Sequence, residues 1–244
     1  MENLVENISK SVAIELLFEE MPTRPTANAI FREARKIFGD INIINRDEND
    51  IEFSVDKFVA YNEDNTISPV VLAMGNITDF NDKVAVSEFE RTQIWNVANS
   101  EELLSKYKYA VKIWDVNAQR QIPKERAIML VDWLNVALKL YPKCQAIWIK
   151  SAGKLQLAQS IKNLKETGIV KYLYSMVNIR FFNVPNTNEF IVDSVGLANI
   201  GLSDVQFHFK GMNPNKVANL AYSLARYILN NDDIMIKMAI PLMA

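Results

Sequence analysis

Hydrophobic and polar positions along this chain fall into patterns that predict most of its elements. Val12 to Phe18 is a short apolar run rich in β-branched and aromatic residues, and the prolines of MPTRP then stop any strand. Thr26 is placed to cap a helix from Ala27 in which Ala27, Ile30, Phe31, Ala34, Ile37 and Phe38 share one face before Gly39 ends it. Three strands are expected next, at Ile41–Ile44, at Ile51–Tyr61 with a break, and at Ile67–Met74, joined by the Asn/Asp-rich turns NRDEND and NEDN.

The order then repeats. Ser100 reads as the cap of a short helix with Glu101 and Glu102 in its first turn, where carboxylates meet the positive end of the dipole. Tyr109–Val116 is a strand, and Pro123 opens a long helix to about Leu140 with Ala127, Leu130, Val131, Leu134, Ala137 and Leu138 as its buried stripe. Gln145–Lys150 is a strand and Lys154–Glu166 a helix with a weaker face at Leu155, Ala158, Ile161, Leu164 and Lys165. Val177–Val184 and Phe190–Val195 flank PNTN as a hairpin, Asp204–Phe209 is a further strand, and Asn213-Pro214 starts a last helix carrying Val217, Leu220, Ala221, Leu224 and Ile228 inward.

Helices mixed with hairpins predict an α+β fold: mixed, largely antiparallel sheets with packed helices, in two abutting strand-helix-strand-strand units. Residues 1–244 are expected to form a single compact domain, with 1–80 and 95–244 as sub-units and Gly75–Gln93 as the seam between them. The chain is 49% apolar and 23% charged, an ordinary globular composition.

Charge narrows the partners. A net charge of −2 with dispersed basic residues is no footprint for nucleic acid or an anionic membrane. The first twenty residues carry acids where a secretory leader needs a basic segment, no stretch reaches the ~20 apolar residues of a membrane span, and the single cysteine, Cys144, excludes an internal disulfide. Together these predict a cytoplasmic protein.

Catalytic inventories come up short. One histidine and one cysteine cannot build a zinc site, and no cofactor or metal is expected. His208 is the one imidazole a serine triad can use, yet alternation in VQFHF puts it beside Gln206 on the polar face of a strand, opposite Val205, Phe207 and Phe209. Ser151-Ala152-Gly153-Lys154 matches S-x-x-K without its companion motifs and reads as a strand-to-helix turn. Asp193 and Asp204, with Asp115, are the carboxylates available for an acid–base pair. Trp95, Trp114, Trp133 and Trp148 sit in apolar stretches and are expected to fill core.

The stretch VNIRFFNV followed by EFIVDSVGLANIGLSDVQFHFKGMNPNKVANLAYSLARYILNNDDIM resembles the C-terminal signature of the bacterial DUF4261 family, a domain of unknown function. Asn178, Arg180, Asp193, Gly196, Gly201, Leu202, Asp204, Gln206, His208, Asp232 and Asp233 carry the likeness, while Ser203 stands where proline is usual and Asn231 where glycine is. WNVANSEELLSKYKYAVKIWDV, KERAIMLVDWLNVAL and CQAIWIKSAGKL also resemble the family's middle, so the likeness runs from about Val12 to Ile236. It implies an intracellular domain of the binding or accessory kind, and no known reaction. The failed catalytic inventories and the acidic, aromatic-containing, linker-free chain favour a non-enzymatic interaction, immunity or accessory protein that binds another protein. Arg180, Asp193, Asp204, Gln206 and His208 form the candidate binding or structural cluster, and the alternative is a hydrolase or transferase using the same groups.

Overall fold

A computed structural model describes residues 11–62, 64 and 66–231; Asp232, Asp233 and the first ten residues of the leader segment considered above lie outside these. Among the described residues the chain forms a seven-stranded sheet and a three-stranded sheet with helices packed between and around them, an α+β fold.

The large sheet takes its strands from β1 (Ala13–Phe18), β2 (Ile41–Arg46), β3 (Asp50–Tyr61), β4 (Ile67–Asp79), β5 (Tyr109–Val116), β6 (Ala146–Ile149) and β7 (Lys154–Leu157). Their spatial order is β2-β3-β4-β5-β1-β6-β7, and every pairing is antiparallel. β1 is buried in the middle, with Leu16 opposite Val111 on one side and Ile147 on the other. That placement explains a run nearly apolar on both faces. The break expected in β3 is a register shift between Val55 and Val59, and Asp47 ties the β2–β3 turn by accepting from the Asn49 and Asp50 amides. β4 runs five residues past the expected Met74 and stays paired with β5 as far as Asp79.

One face of this sheet carries the main core. α1 (Ala27–Phe38) starts at a Thr26 cap and stops at Gly39, and it turns Ile30, Phe31, Ala34 and Phe38 inward. α5 (Pro123–Leu140) buries the expected stripe and also Met129, Trp133 and Val136, because sheet and helices enclose it on several sides. The Trp133 indole donates to Ala73 O at 3.1 Å and meets Phe53 edge-on at 5.3 Å between centroids. The other face holds a smaller core around Leu17, Leu104, Tyr107, Trp148 and Leu155, under the short helices α2 (Asp82–Ala85), α3 (Glu88–Thr92) and α4 (Ser100–Lys106). Ser100 does not cap α4: Asn99 holds that position in a left-handed conformation, and the Ser100 hydroxyl turns back to Ile94 O.

The region expected as a helix from Lys154 to Glu166 is the largest local correction. Lys150–Ala152 make one 3-10 turn, Gly153 takes a left-handed φ of 57°, and the chain doubles back as β7 against β6 before α6 (Ala158–Asn163). SAGK is therefore a strand-to-strand turn. α7 (Gly168–Met176) follows, a helix the hydrophobic spacing had not announced.

The small sheet is the hairpin β8 (Asn178–Asn183) and β9 (Glu189–Val195) with β10 (Gln206–Lys210) on the far side of β9. Its inner face stacks Phe181, Phe190 and Phe209 and receives α8 (Pro214–Asn231), whose first amides are capped by Asn213. Val217, Ala221 and Ile228 point inward as expected, but Leu220 is 41% exposed. No helix among the described residues is long and apolar enough to cross a membrane.

Candidate functional site

Strand register brings part of the expected cluster together. Arg180, Asp193 and Gln206 are cross-strand partners on β8, β9 and β10, in one row on the outer face of the small sheet. The Arg180 guanidinium grips Asp193 with two hydrogen bonds, 2.9 Å from Nε and 2.5 Å from Nη2, and its own affinity for a proton rises as a result. The same guanidinium lies 5.2 Å over the Phe182 ring.

His208 stands apart from that pair. It is two residues along β10 from Gln206, about half exposed, with its Nε2 2.8 Å from a Glu189 carboxylate oxygen. Asp204 is engaged elsewhere again. It accepts from the Ser194 hydroxyl at 2.8 Å and from the amides of Gly196, Leu197 and Ala198, closing the loop between β9 and β10. Burial pushes its carboxyl above the usual range, against the pull of those four bonds.

The two glycines of this loop have distinct reasons. Gly201 takes φ +91° to end the 3-10 turn Ala198–Ile200. Gly196, at φ +136°, passes so close to α7 that a Cβ there would sit 2.6 Å from Met176 O. Tyr172, fully buried on α7, fixes the same corner by donating to Gly196 O at 2.8 Å. Asp115 is wholly enclosed beside α5, where it accepts from Arg126 Nε at 2.8 Å and the Val12 amide. The three aspartates thus serve three different partners.

Two hollows open on either side of the start of β8. The first, about 290 Å³, lies between α3, the Lys150–Gly153 turn and β8, with Phe89, Lys150, Ser151, Asn178 and Arg180 on its wall. At its rim Phe89, 54% exposed, stacks on Phe182 at 6.0 Å and 6°. The second, about 270 Å³, is lined by Trp95, Asn96, Lys154, Gln156, Tyr174 and Tyr222, among others. Ser151 and Lys154, the serine and lysine of the S-x-x-K spacing, face different hollows, and the Ser151 hydroxyl takes a hydrogen bond from Asn199 at 2.9 Å. Trp133 and Trp148 are core as expected, but Trp95 is 51% exposed at the mouth of the second hollow. The sequence pattern left Phe89 unread, put Trp95 in the core and placed Lys154 in a strand-to-helix turn; the alternation of Lys154, Leu155, Gln156 and Leu157 spans too few residues to have signalled a strand. Among the described residues no group of His, Cys, Asp or Glu is arranged to hold a metal.

The fold class and the corner define an α+β protein whose most distinctive segment is the β9–β10 turn with its following helix. The family model described as a domain of unknown function, DUF4261, matches residues 193–237, which is this segment alone. No curated protein and no solved structure matches the chain.

Proposed function

We propose that this chain is an intracellular protein-interaction module of the accessory or immunity kind, docking a second protein on the outer face of β8. The observation that carries the reading is the Phe89–Phe182–Arg180 stack, an exposed Phe89 on a partly buried Phe182 with a guanidinium against it, beside a concave wall. Aromatic and arginine side chains of this kind dominate binding energy at protein interfaces. The dispersal of Asp115, Asp204 and His208 among separate partners also supports binding over acid–base chemistry, which needs such groups within hydrogen-bond reach of one substrate atom.

The test compares affinity-purified complexes of the wild type, Phe89→Asp and a control, Val84→Asp, which alters an exposed side chain on α2. Phe89→Asp is expected to weaken the partner recovered by the wild type at least about tenfold, the loss of one hot-spot aromatic, while Val84→Asp retains it. Equal recovery by both variants overturns the proposal.

A further inference from the structure

The second hollow contains a charge that the rest of the fold does not answer. Alternation along β7 turns Leu155 into the smaller core and sends Lys154 and Gln156 to the opposite face, toward α7 and β8. Lys154 is buried, and its ammonium donates to Val177 O at 2.9 Å. An ammonium has three protons to donate, and among the described residues no carboxylate forms an ion pair with Lys154. Burial alone lowers its pKa to about 8. A buried cation served by one neutral carbonyl is costly unless something else completes its shell.

The neighbouring groups are suited to an anion. Asn96 donates from its amide nitrogen to both Leu155 O and Gln156 Oε1, at 3.0 Å each. Gln156 is thereby oriented with its own amide nitrogen as a donor not engaged within the described residues. The wall carries no aspartate or glutamate, and it adds the hydroxyl-bearing rings of Tyr174 and Tyr222 and the indole of Trp95. One cation with neutral donors matches a monoanion rather than a phosphate dianion. Aromatic and aliphatic walls around about 270 Å³ match a ligand with a small apolar body.

We propose that this hollow binds a small organic monocarboxylate, its carboxylate on Lys154 and Gln156 and its apolar body against Trp95, Tyr174 and Tyr222. The site goes beyond the protein-docking reading, whose surface is centred on Phe89 across β8, so either can fail alone.

Isothermal calorimetry with benzoate, hexanoate and indole-3-acetate tests it, with benzamide as the neutral isostere of benzoate. At least one of the three acids is expected to bind saturably at one site, and if it is benzoate, benzamide binds at least about tenfold more weakly. Lys154→Met is expected to abolish that binding while remaining folded, since the substitution keeps the volume and removes a buried charge. Tyr222→Ala, at the partly exposed mouth, is expected to weaken it about tenfold, the usual scale for losing one aromatic contact. No saturable binding by any acid up to about 10 mM, a limit weaker than useful recognition, overturns the proposal, as does undiminished binding by folded Lys154→Met or by benzamide.

Discussion

The β9–β10 corner and the hollow beneath β7 lie on two sides of β8 and use opposite logic. At the corner every conspicuous group is matched within the fold: Asp204 satisfies three amides and a hydroxyl, Arg180 and Asp193 satisfy each other, and Gly196 makes room for α7. In the hollow an ordinary-looking lysine is buried with donor capacity to spare. Residues that stand out in a sequence are often those the backbone demands, whereas a binding group declares itself by what its surroundings leave unmet.

The sharpest way to break this contrast is Gly196→Ala. A Cβ 2.6 Å from Met176 O and 3.1 Å from Val177 Cα meets backbone on both counts, and φ +136° is closed to side chains as well. Urea unfolding is expected to show a loss of about 3 kcal/mol or more, or no folded protein. Gly211→Ala is the control, since its φ of +74° is unfavourable but nothing lies within 4 Å. It should cost only about 1 kcal/mol. Similar losses at both glycines would mean that the corner is not the tight joint described.

Asp204→Ala comes next, with an expected loss of about 2–3 kcal/mol from four donors left short of an acceptor. The pH dependence has a definite sign. A carboxyl raised above its unfolded value holds its proton more tightly in the native state, so that contribution is full below about pH 4 and is lost as pH rises through the raised value. Unfolding free energies of wild type and variant should therefore differ more at pH 4 than at pH 7.

Lys154→Met should move stability the other way. Removing an unpaired buried ammonium is expected to leave the protein as stable or about 1–2 kcal/mol more stable at pH 7. With a native pKa of about 8 against ~10.4 unfolded, the unfolded chain binds more protons between those values, so the wild type gains stability as pH rises across that window. Thermal melts at pH 7 and pH 10 should show the gap between variant and wild type closing. A destabilised variant at pH 7 would place Lys154 with the corner, as a structural donor to Val177 O.

Legibility in the sequence followed the range of the interactions. β5 and α5 occupy the expected residues because Pro123 fixes a start locally and the apolar stripe repeats for five turns. β7 was hidden because four residues are too few to display a period of two, and Leu155, Ala158, Ile161 and Leu164 also fit a helix. α7 begins at Gly168, has no side-chain cap and is rich in β-branched and aromatic residues, so its helicity comes from packing against α5 and α8. Asp204 was readable as a turn acceptor from chemistry a few residues away, while the Arg180–Asp193 grip depends on hairpin register. The second hollow draws on segments around residues 95, 155, 175 and 222, a convergence no local pattern encodes.

The smallest expected effect falls on the residue that first invites a catalytic reading. His208 is about half exposed on β10 and meets Glu189 on the surface, where such pairs contribute about 0–1 kcal/mol. Replacing it with alanine removes neither a buried contact nor an inner-face aromatic, since Phe207 and Phe209 hold the other side of the strand. Chemical denaturation should register a change within about 0.5 kcal/mol. Partner recovery and carboxylate binding should equal those of the wild type, because the imidazole lines neither hollow. A His208→Ala protein that melts normally but loses partner or ligand would move the functional surface to the β9–β10 face and reverse the assignment of the corner to scaffold.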